Sequence, residues 1–134
     1  MQGEILYEEK LKIFPGVDIG LVPEGGRIDF PFAGDIRGPL IHGKVEGIDY
    51  FLMRPDGVGL VHVHAVLTTD GGDRISLEVS GFVTATPDGR FAVKGAIAYQ
   101  TGSKEFAWLN STQGAEDGFI DLNKMELTAK IFKF

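Results

Sequence analysis

Turn signals punctuate this chain from residue 56 onward at short intervals: Asp56-Gly57, Asp70-Gly71-Gly72, Asp88-Gly89, Thr101-Gly102-Ser103 and Asp117-Gly118. Most are flanked by alternating apolar and polar residues, and Asp-Gly supplies the positive-φ positions that tight hairpins require. Segments this short, bounded this often, read as an all-β meander. Strands are expected near residues 5–14, 26–33, 40–46, 48–54, 59–69, 74–86, 90–101, 105–112 and 125–134, with 113–124 as the long loop of the second half, carrying at most a short turn of helix. Glycine, at 19 of 134 residues, is about twice its usual share of ~7%, and the surplus is assigned to these turns.

Nine short strands leave edges exposed unless the sheet closes. The expected fold is therefore a small closed antiparallel β-barrel forming one domain over residues 1–134, with a two-sheet sandwich as the alternative. Closure separates a lumen from an exterior, so strand parity decides which residues can share a site.

Several classes are excluded by composition. With no Cys, disulfide frameworks, thiolate zinc sites and thiol nucleophiles drop out. A net charge of -6 with no basic run argues against nucleic acid, because phosphate neutralisation needs clustered Lys and Arg. The first residues, Met1-Gln2-Gly3-Glu4-Ile5, lack a basic flank followed by an apolar stretch, and no apolar run approaches the roughly 20 residues of a spanning helix. The expected setting is cytoplasmic, without membrane contact. There is no Gly-rich nucleotide loop and no Gly-x-Ser-x-Gly elbow, so no organic cofactor is expected.

Register follows from the turns. An Asp-Gly-Gly loop sets Thr69 opposite Asp73, which pairs Val63 with Val79, Ala65 with Leu77 and Leu67 with Ile75 on one face, and His62 with Ser80 and His64 with Glu78 on the other. A one-residue slip would mix the faces, so burial selects this pairing. A two-residue Asp56-Gly57 turn would place Asp49 opposite His64, and a Gly102-Ser103 turn would place Tyr99 opposite Phe106 and Gly95 opposite Asn110. One face is then bulky and mostly apolar, carrying Tyr50, Tyr99 and Trp108 with Arg54 and Asn110 at its ends. The other is small and polar, carrying Asp49, His62, His64 and Glu78. With the bulky face inward the barrel has an ordinary packed core; with the polar face inward the lumen keeps room for a ligand and the aromatic exterior needs a cover.

His64 between Asp49 and Glu78 is the candidate acid/base group, since a carboxylate neighbour fixes the imidazole tautomer; a cross-strand charge pair is the plainer reading. His62 and His64, about 7 Å apart on one side of a strand, also suit a metal. A third ligand is not secured, and no metal is assigned. Arg54 with Asp56 reads as a brace for the turn or, at a barrel mouth, as the group that holds a ligand anion. Tyr99, Trp108 and Asn110 combine flat rings with an amide, which suits an aromatic ligand or, more plainly, a core.

The runs Gly25-Gly26-Arg27-Ile28, Gly34-Asp35-Ile36-Arg37-Gly38-Pro39-Leu40-Ile41-His42-Gly43, Asp49-Tyr50-Phe51-Leu52-Met53-Arg54-Pro55-Asp56-Gly57, Leu67-Thr68-Thr69-Asp70-Gly71 and Thr101-Gly102-Ser103 leading to Ala107-Trp108-Leu109-Asn110 resemble, in order, the family known as domain of unknown function 3237. The resemblance implies a small bacterial β-barrel of calycin or allene-oxide-cyclase type that tends to form homo-oligomers, and no established reaction. Members often carry an acidic and a basic residue where His62 and His64 stand here, which points to that face as the one on which members differ. Together these readings lead to the expectation of a barrel that binds a small apolar or aromatic metabolite, with His64, Glu78, His62 and Asp49 as catalytic candidates for cofactor-free proton transfer and Arg54, Tyr99, Trp108 and Asn110 as ligand-binding candidates. A non-catalytic oligomeric module and a His-ligated metalloenzyme are the alternatives.

Overall fold

Period-two alternation of apolar and polar residues becomes nine strands in the computed structural model, which describes residues 3–134. They are β1 (Ile5–Ile13), β2 (Val17–Val22), β3 (Gly25–Arg37), β4 (His42–Met53), β5 (Gly59–Thr69), β6 (Arg74–Ala85), β7 (Phe91–Thr101), β8 (Gln113–Asp121) and β9 (Glu126–Lys133), with a 3-10 helix over Ala107–Ser111. Met1 and Gln2, part of the N-terminal stretch read for targeting signals, lie outside the described residues.

All pairings are antiparallel, and β1 closes the sheet by pairing with β9 on one side and β3 on the other. Eight strands form the closed barrel. β3 is long enough to take two partners along one edge: its second half pairs with β1 (Ile13 with Phe32) and its first half with β2 (Val17 with Asp29). β2 therefore overhangs one end of the barrel as a flap.

Over β5, β6 and β7 the bulky face points inward, whereas in β4 Tyr50 turns outward and Asp49 inward. Val61, Val63, Ala65 and Leu67 of β5, Ile75, Leu77 and Val79 of β6, and Val93, Ile97 and Tyr99 of β7 are buried, while His62, His64 and Glu78 lie on the outer wall. The β5–β6 register is the expected one, with His64 opposite Glu78 and Val63 opposite Val79. Burial of apolar area decides it, since a slip would turn this whole apolar row to water.

Several expectations are corrected. First, β4 pairs with β5 one residue out of the expected register: Ile48, not Asp49, faces His64, and Asp49 faces Val63. The turn has three residues, Pro55-Asp56-Gly57, because Arg54 and Val58 form the last paired rung (Arg54 N to Val58 O, 3.0 Å) and Gly57 sits at φ +87°. Proline has no N–H for a ladder and is preorganised to open a turn, so the turn begins one residue early. Second, residues 105–112 are not a strand. Phe106 and Leu109, both buried, are three apart, which is the repeat of a 3-10 helix. Third, residues 113–124, expected as a loop, contain β8, and residues 17–22, left unassigned, form β2. The expected break at Gly47 is also absent, and 42–53 is one strand.

The two ends of the barrel differ. Leu6, Ile41, Phe106 and Leu109 are buried at the end that carries the β3–β4, β5–β6 and β7–β8 connections, and the 3-10 helix plugs it. Asn110 holds that plug by accepting from the Thr101 N–H (2.8 Å) and donating to the Thr101 carbonyl (3.0 Å). The opposite end stays open between Ile13, Met53, Phe91, Leu122 and Met125.

Candidate functional site

The open end leads into a cavity of ≈ 220 Å³ inside the barrel. Inward positions of β1 (Tyr7, Glu9, Leu11, Ile13), β4 (Val45, Asp49, Phe51, Met53) and β8 (Glu116, Ile120) line it, together with apolar residues of the other strands such as Phe30, Phe32 and Phe91. Its polar side chains are few: Tyr7, Glu9, Asp49 and Glu116. Among the described residues no Arg, Lys or His lines it.

Glu9 and Glu116 are 9% and 7% exposed, and each is the other's hydrogen-bond partner. They project from strands separated by β9, where β1 Glu9 pairs with Ala129 and β8 Glu116 pairs with Ile131. Small Ala129 leaves them space to meet. Two carboxyls can hydrogen-bond only if one keeps a proton, and burial pushes both above the usual carboxylate range; for Glu9 the neighbouring Glu116 charge adds to the effect. The pair therefore shares a proton, and burial favours its staying there.

Asp49 is raised to about 6, chiefly by burial, with the Glu116 and Asp29 charges acting in the same direction and a hydrogen bond from the His62 N–H (3.1 Å) opposing them. That N–H is free to donate because the β4–β5 ladder is interrupted between the Asp49–Val63 and Leu52–Leu60 rungs. Asp49 thus changes protonation near pH 6, whereas the glutamates meet around a shared proton. Two acidic sites with different affinities for a proton face one apolar space, which is the arrangement that lets one act as acid and the other as base.

Tyr7 and Tyr99 share a buried hydrogen bond of 2.6 Å between their hydroxyls. Burial holds Tyr7 well above the ordinary phenol value and raises Tyr99 as well, so both stay neutral.

Gly95, opposite Glu116 on β7, makes the space that the carboxyl occupies. A Cβ there would lie 2.9 Å from Val79 Cγ1 and 3.1 Å from Glu116 Oε1. Gly95→Ala is expected to cost about 1–3 kcal/mol by overpacking and to displace Glu116. Urea unfolding checks the first effect, and NMR titration of the Glu116 carboxyl carbon checks the second; an unchanged titration would mean that Gly95 does not position the pair.

The residues singled out in the sequence are divided between two surfaces and the ends. Asp49 lies inside, whereas His62, His64 and Glu78 lie outside, so these four do not form one cluster. On the outer wall the His62 and His64 rings stand 5.1 Å apart, each about 6 Å from the Tyr50 ring, and His64 Nε2 is 3.2 Å from Glu78 Oε1. Among the described residues no group of three or more His, Cys, Asp or Glu side chains is arranged to hold a metal ion. Arg54 is paired with Asp56 at the turn, Nη2 to Oδ2 2.5 Å, and does not line the cavity. Tyr99 is buried behind Tyr7, Trp108 packs against the core from the 3-10 helix, and Asn110 caps β7 instead of facing Gly95.

Glu9 and Glu116 were not anticipated. For Glu9 a signal exists: Tyr7-x-Glu9-x-Leu11-x-Ile13 places it at inward parity with three apolar residues. Glu116 has no such signal, because its inward neighbours along β8 are Gly114 and Gly118.

A family described as "Protein of unknown function (DUF3237)" matches residues 2–115. Among solved structures, a β-barrel-like protein of Acinetobacter baumannii AYE is similar at 20% identity and a TM-score of 0.89, over 98% of this chain and 94% of that one. A protein of unknown function from Clostridium acetobutylicum ATCC 824 has 21% identity and a TM-score of 0.89, covering 100% and 99% of the two chains. A structure described as an enzyme from Penicillium herquei has 22% identity and a TM-score of 0.72, over 96% and 91%. Likeness at these identities concerns the barrel fold. A search of curated proteins returned no match.

Proposed function

The chain belongs to the DUF3237 family, whose description leaves function open, and we propose from the chain's own lumen that it is a small-molecule-binding barrel performing cofactor-free proton transfer on an apolar or aromatic metabolite. The observation that carries this reading is a cavity of ≈ 220 Å³ whose polar lining is three carboxyls and one tyrosine, on a wall otherwise aliphatic and aromatic. Burying carboxyls without cationic partners is costly to the fold, and such a cost is the usual mark of a working site. That a similar barrel is described as an enzyme fits the reading.

In this mechanism Asp49, ionised above about pH 6, takes a proton from a ligand O–H or activated C–H. The proton held between Glu9 and Glu116 is delivered to a carbon or leaving oxygen of the same ligand. One proton leaves and one arrives, so the ligand is isomerised, cyclised or dehydrated without redox change. The low-dielectric wall keeps bulk water from competing for either step. Exchange with solvent after product release returns Asp49 and the glutamate pair to their starting states.

The test uses 2-naphthol, whose C1 hydrogen exchanges through removal of the O–H proton and delivery of a deuteron to C1, followed by loss of the C1 protium as the keto form returns to the naphthol. In deuterated buffer at pH 7 the protein is expected to accelerate C1 exchange, read by NMR, at least about tenfold over its Asp49→Asn/Glu116→Gln variant, in line with the contribution of positioned acid and base groups. Equal rates for the two proteins would remove the catalytic part of the proposal.

A second reading rests on the outer wall. Val66 and Phe82 are 42% and 51% exposed on the same face as Tyr50, His62 and His64, which favours a homo-oligomer contact there. Light scattering of the wild type and of Phe82→Lys distinguishes it: a monomer in both cases removes this reading and leaves the lumen proposal untouched.

A further inference from the structure

The glutamate pair and Asp49 also constrain what can enter. Among the described residues every polar side chain on the lumen wall is a carboxyl, except Tyr7, whose hydroxyl is hydrogen-bonded with that of Tyr99. Glu9 and Glu116 use their shared proton on each other, so the lone pairs left facing the cavity are acceptors. Asp49 accepts one bond from the His62 N–H and, being acceptor-only when ionised, has further lone pairs to offer. The wall presents acceptors without a cation or an amide donor.

A ligand oxygen that can only accept meets no cation or amide donor here, and to reach the proton shared by the glutamates it must break the bond between them. A ligand carboxylate, phosphate or sulfate would in addition be desolvated beside other acids, which is strongly unfavourable. A hydroxyl or an ammonium instead donates to the carboxyls. Its apolar body contacts Phe30, Phe51 and Phe91, whose ring faces also favour a cation. Resting on the lumen reading above, we infer that the ligand presents a hydrogen-bond donor, a hydroxyl or an ammonium, to Asp49 and the Glu9/Glu116 pair from an aromatic or aliphatic body that bears no anionic group. The carboxylate released by an ester hydrolysis and the phosphorylated product of a kinase-type transfer, which carry fixed negative charge, are thereby excluded as substrates. Phenols, alcohols and amines are admitted.

The experiment is a binding series on one carbon frame, measured by titration calorimetry at pH 7: naphthalene, 2-methoxynaphthalene, 2-naphthol, 2-naphthylmethylamine and 2-naphthoate. Naphthalene reports whether the lumen accepts an apolar body at all. The naphthol and the amine are expected to bind at least about tenfold tighter than the methyl ether, the worth of a hydrogen bond to a charged acceptor. The naphthoate is expected to bind at least about a hundredfold more weakly than the naphthol. A larger gain for the amine than for the naphthol, rising between pH 5 and pH 7, assigns the donor as ammonium; equal gains across that range assign it as hydroxyl. Both gains should shrink in Asp49→Asn and in Glu116→Gln, and the second variant guards against misfolding of the first. Tight binding of naphthalene together with equal affinities for the ether, the naphthol and the naphthoate would overturn this inference while leaving the lumen as a binding site. Failure of the whole series, naphthalene included, would overturn both.

Discussion

Asp49→Asn is expected to make the protein more stable by about 2–3 kcal/mol at pH 8 and to change little near pH 4. The carboxyl is raised from about 3.9 in the unfolded chain to about 6 in the fold, so its protonated form is the one the lumen favours. Below the unfolded value the group is neutral in both states, and its contribution to stability is fully present. As pH rises through 6 the native state must ionise a buried group, and that contribution is lost. Asparagine keeps the acceptor for the His62 N–H and has nothing to titrate. The melting temperature of the variant should exceed that of wild type by roughly 5–10 °C at pH 8, with the difference vanishing toward pH 4. A pH-independent difference would show that Asp49 does not titrate in the lumen. Burial acts in the same direction on Glu9 and Glu116. Asp56 behaves oppositely, held down to about 2 by the side-chain hydrogen bond from Arg54, so its contribution is present above the unfolded value and lost as pH falls toward 2. Stability gained alongside loss of the naphthol exchange would be the signature of a working site.

The other large effect concerns the plug. Leu109 is fully buried in the 3-10 helix that seals the floor, beside Phe106 and the core. Leu109→Ala removes the side chain that fills that end, and the helix cannot collapse inward while Asn110 pins it to Thr101. The expected cost is about 2–5 kcal/mol, read from the urea midpoint, against less than about 1.5 kcal/mol for Leu109→Met. A loss for alanine no larger than that for methionine would mean that the floor is not closed by packing.

How far the residues themselves reveal this molecule depends on the segment. Apolar alternation in β5 and β6 is strong enough that a one-residue slip would expose Val63, Leu67, Ile75 and Val79 together, so their pairing, and the His64–Glu78 contact outside it, follow from local pattern. The β4–β5 turn shows where pattern stops. Ile48 to Met53 is apolar on both sides of the strand, apart from Asp49, so either register keeps apolar residues inward, and the choice falls to Pro55. β8 illustrates the converse. Gln113-Gly114-Ala115-Glu116-Asp117-Gly118 has weak strand propensity, yet the barrel needs small residues there: a Cβ on Gly118 would come within 2.5 Å of the Ala129 Cβ.

The Asp-Gly turns and the alternation they bound therefore determine an all-β hairpin chain and its apolar face, because both are local properties of backbone conformation and of water. Closure by β1 between β9 and β3, the inward turn of Asp49, and the meeting of Glu9 with Glu116 were decided only by the tertiary structure. Those two glutamates are more than a hundred residues apart along the chain, and no local preference registers a partner at that distance. What brings them together is the small residue at 129 on the strand between them and the space left by Gly95.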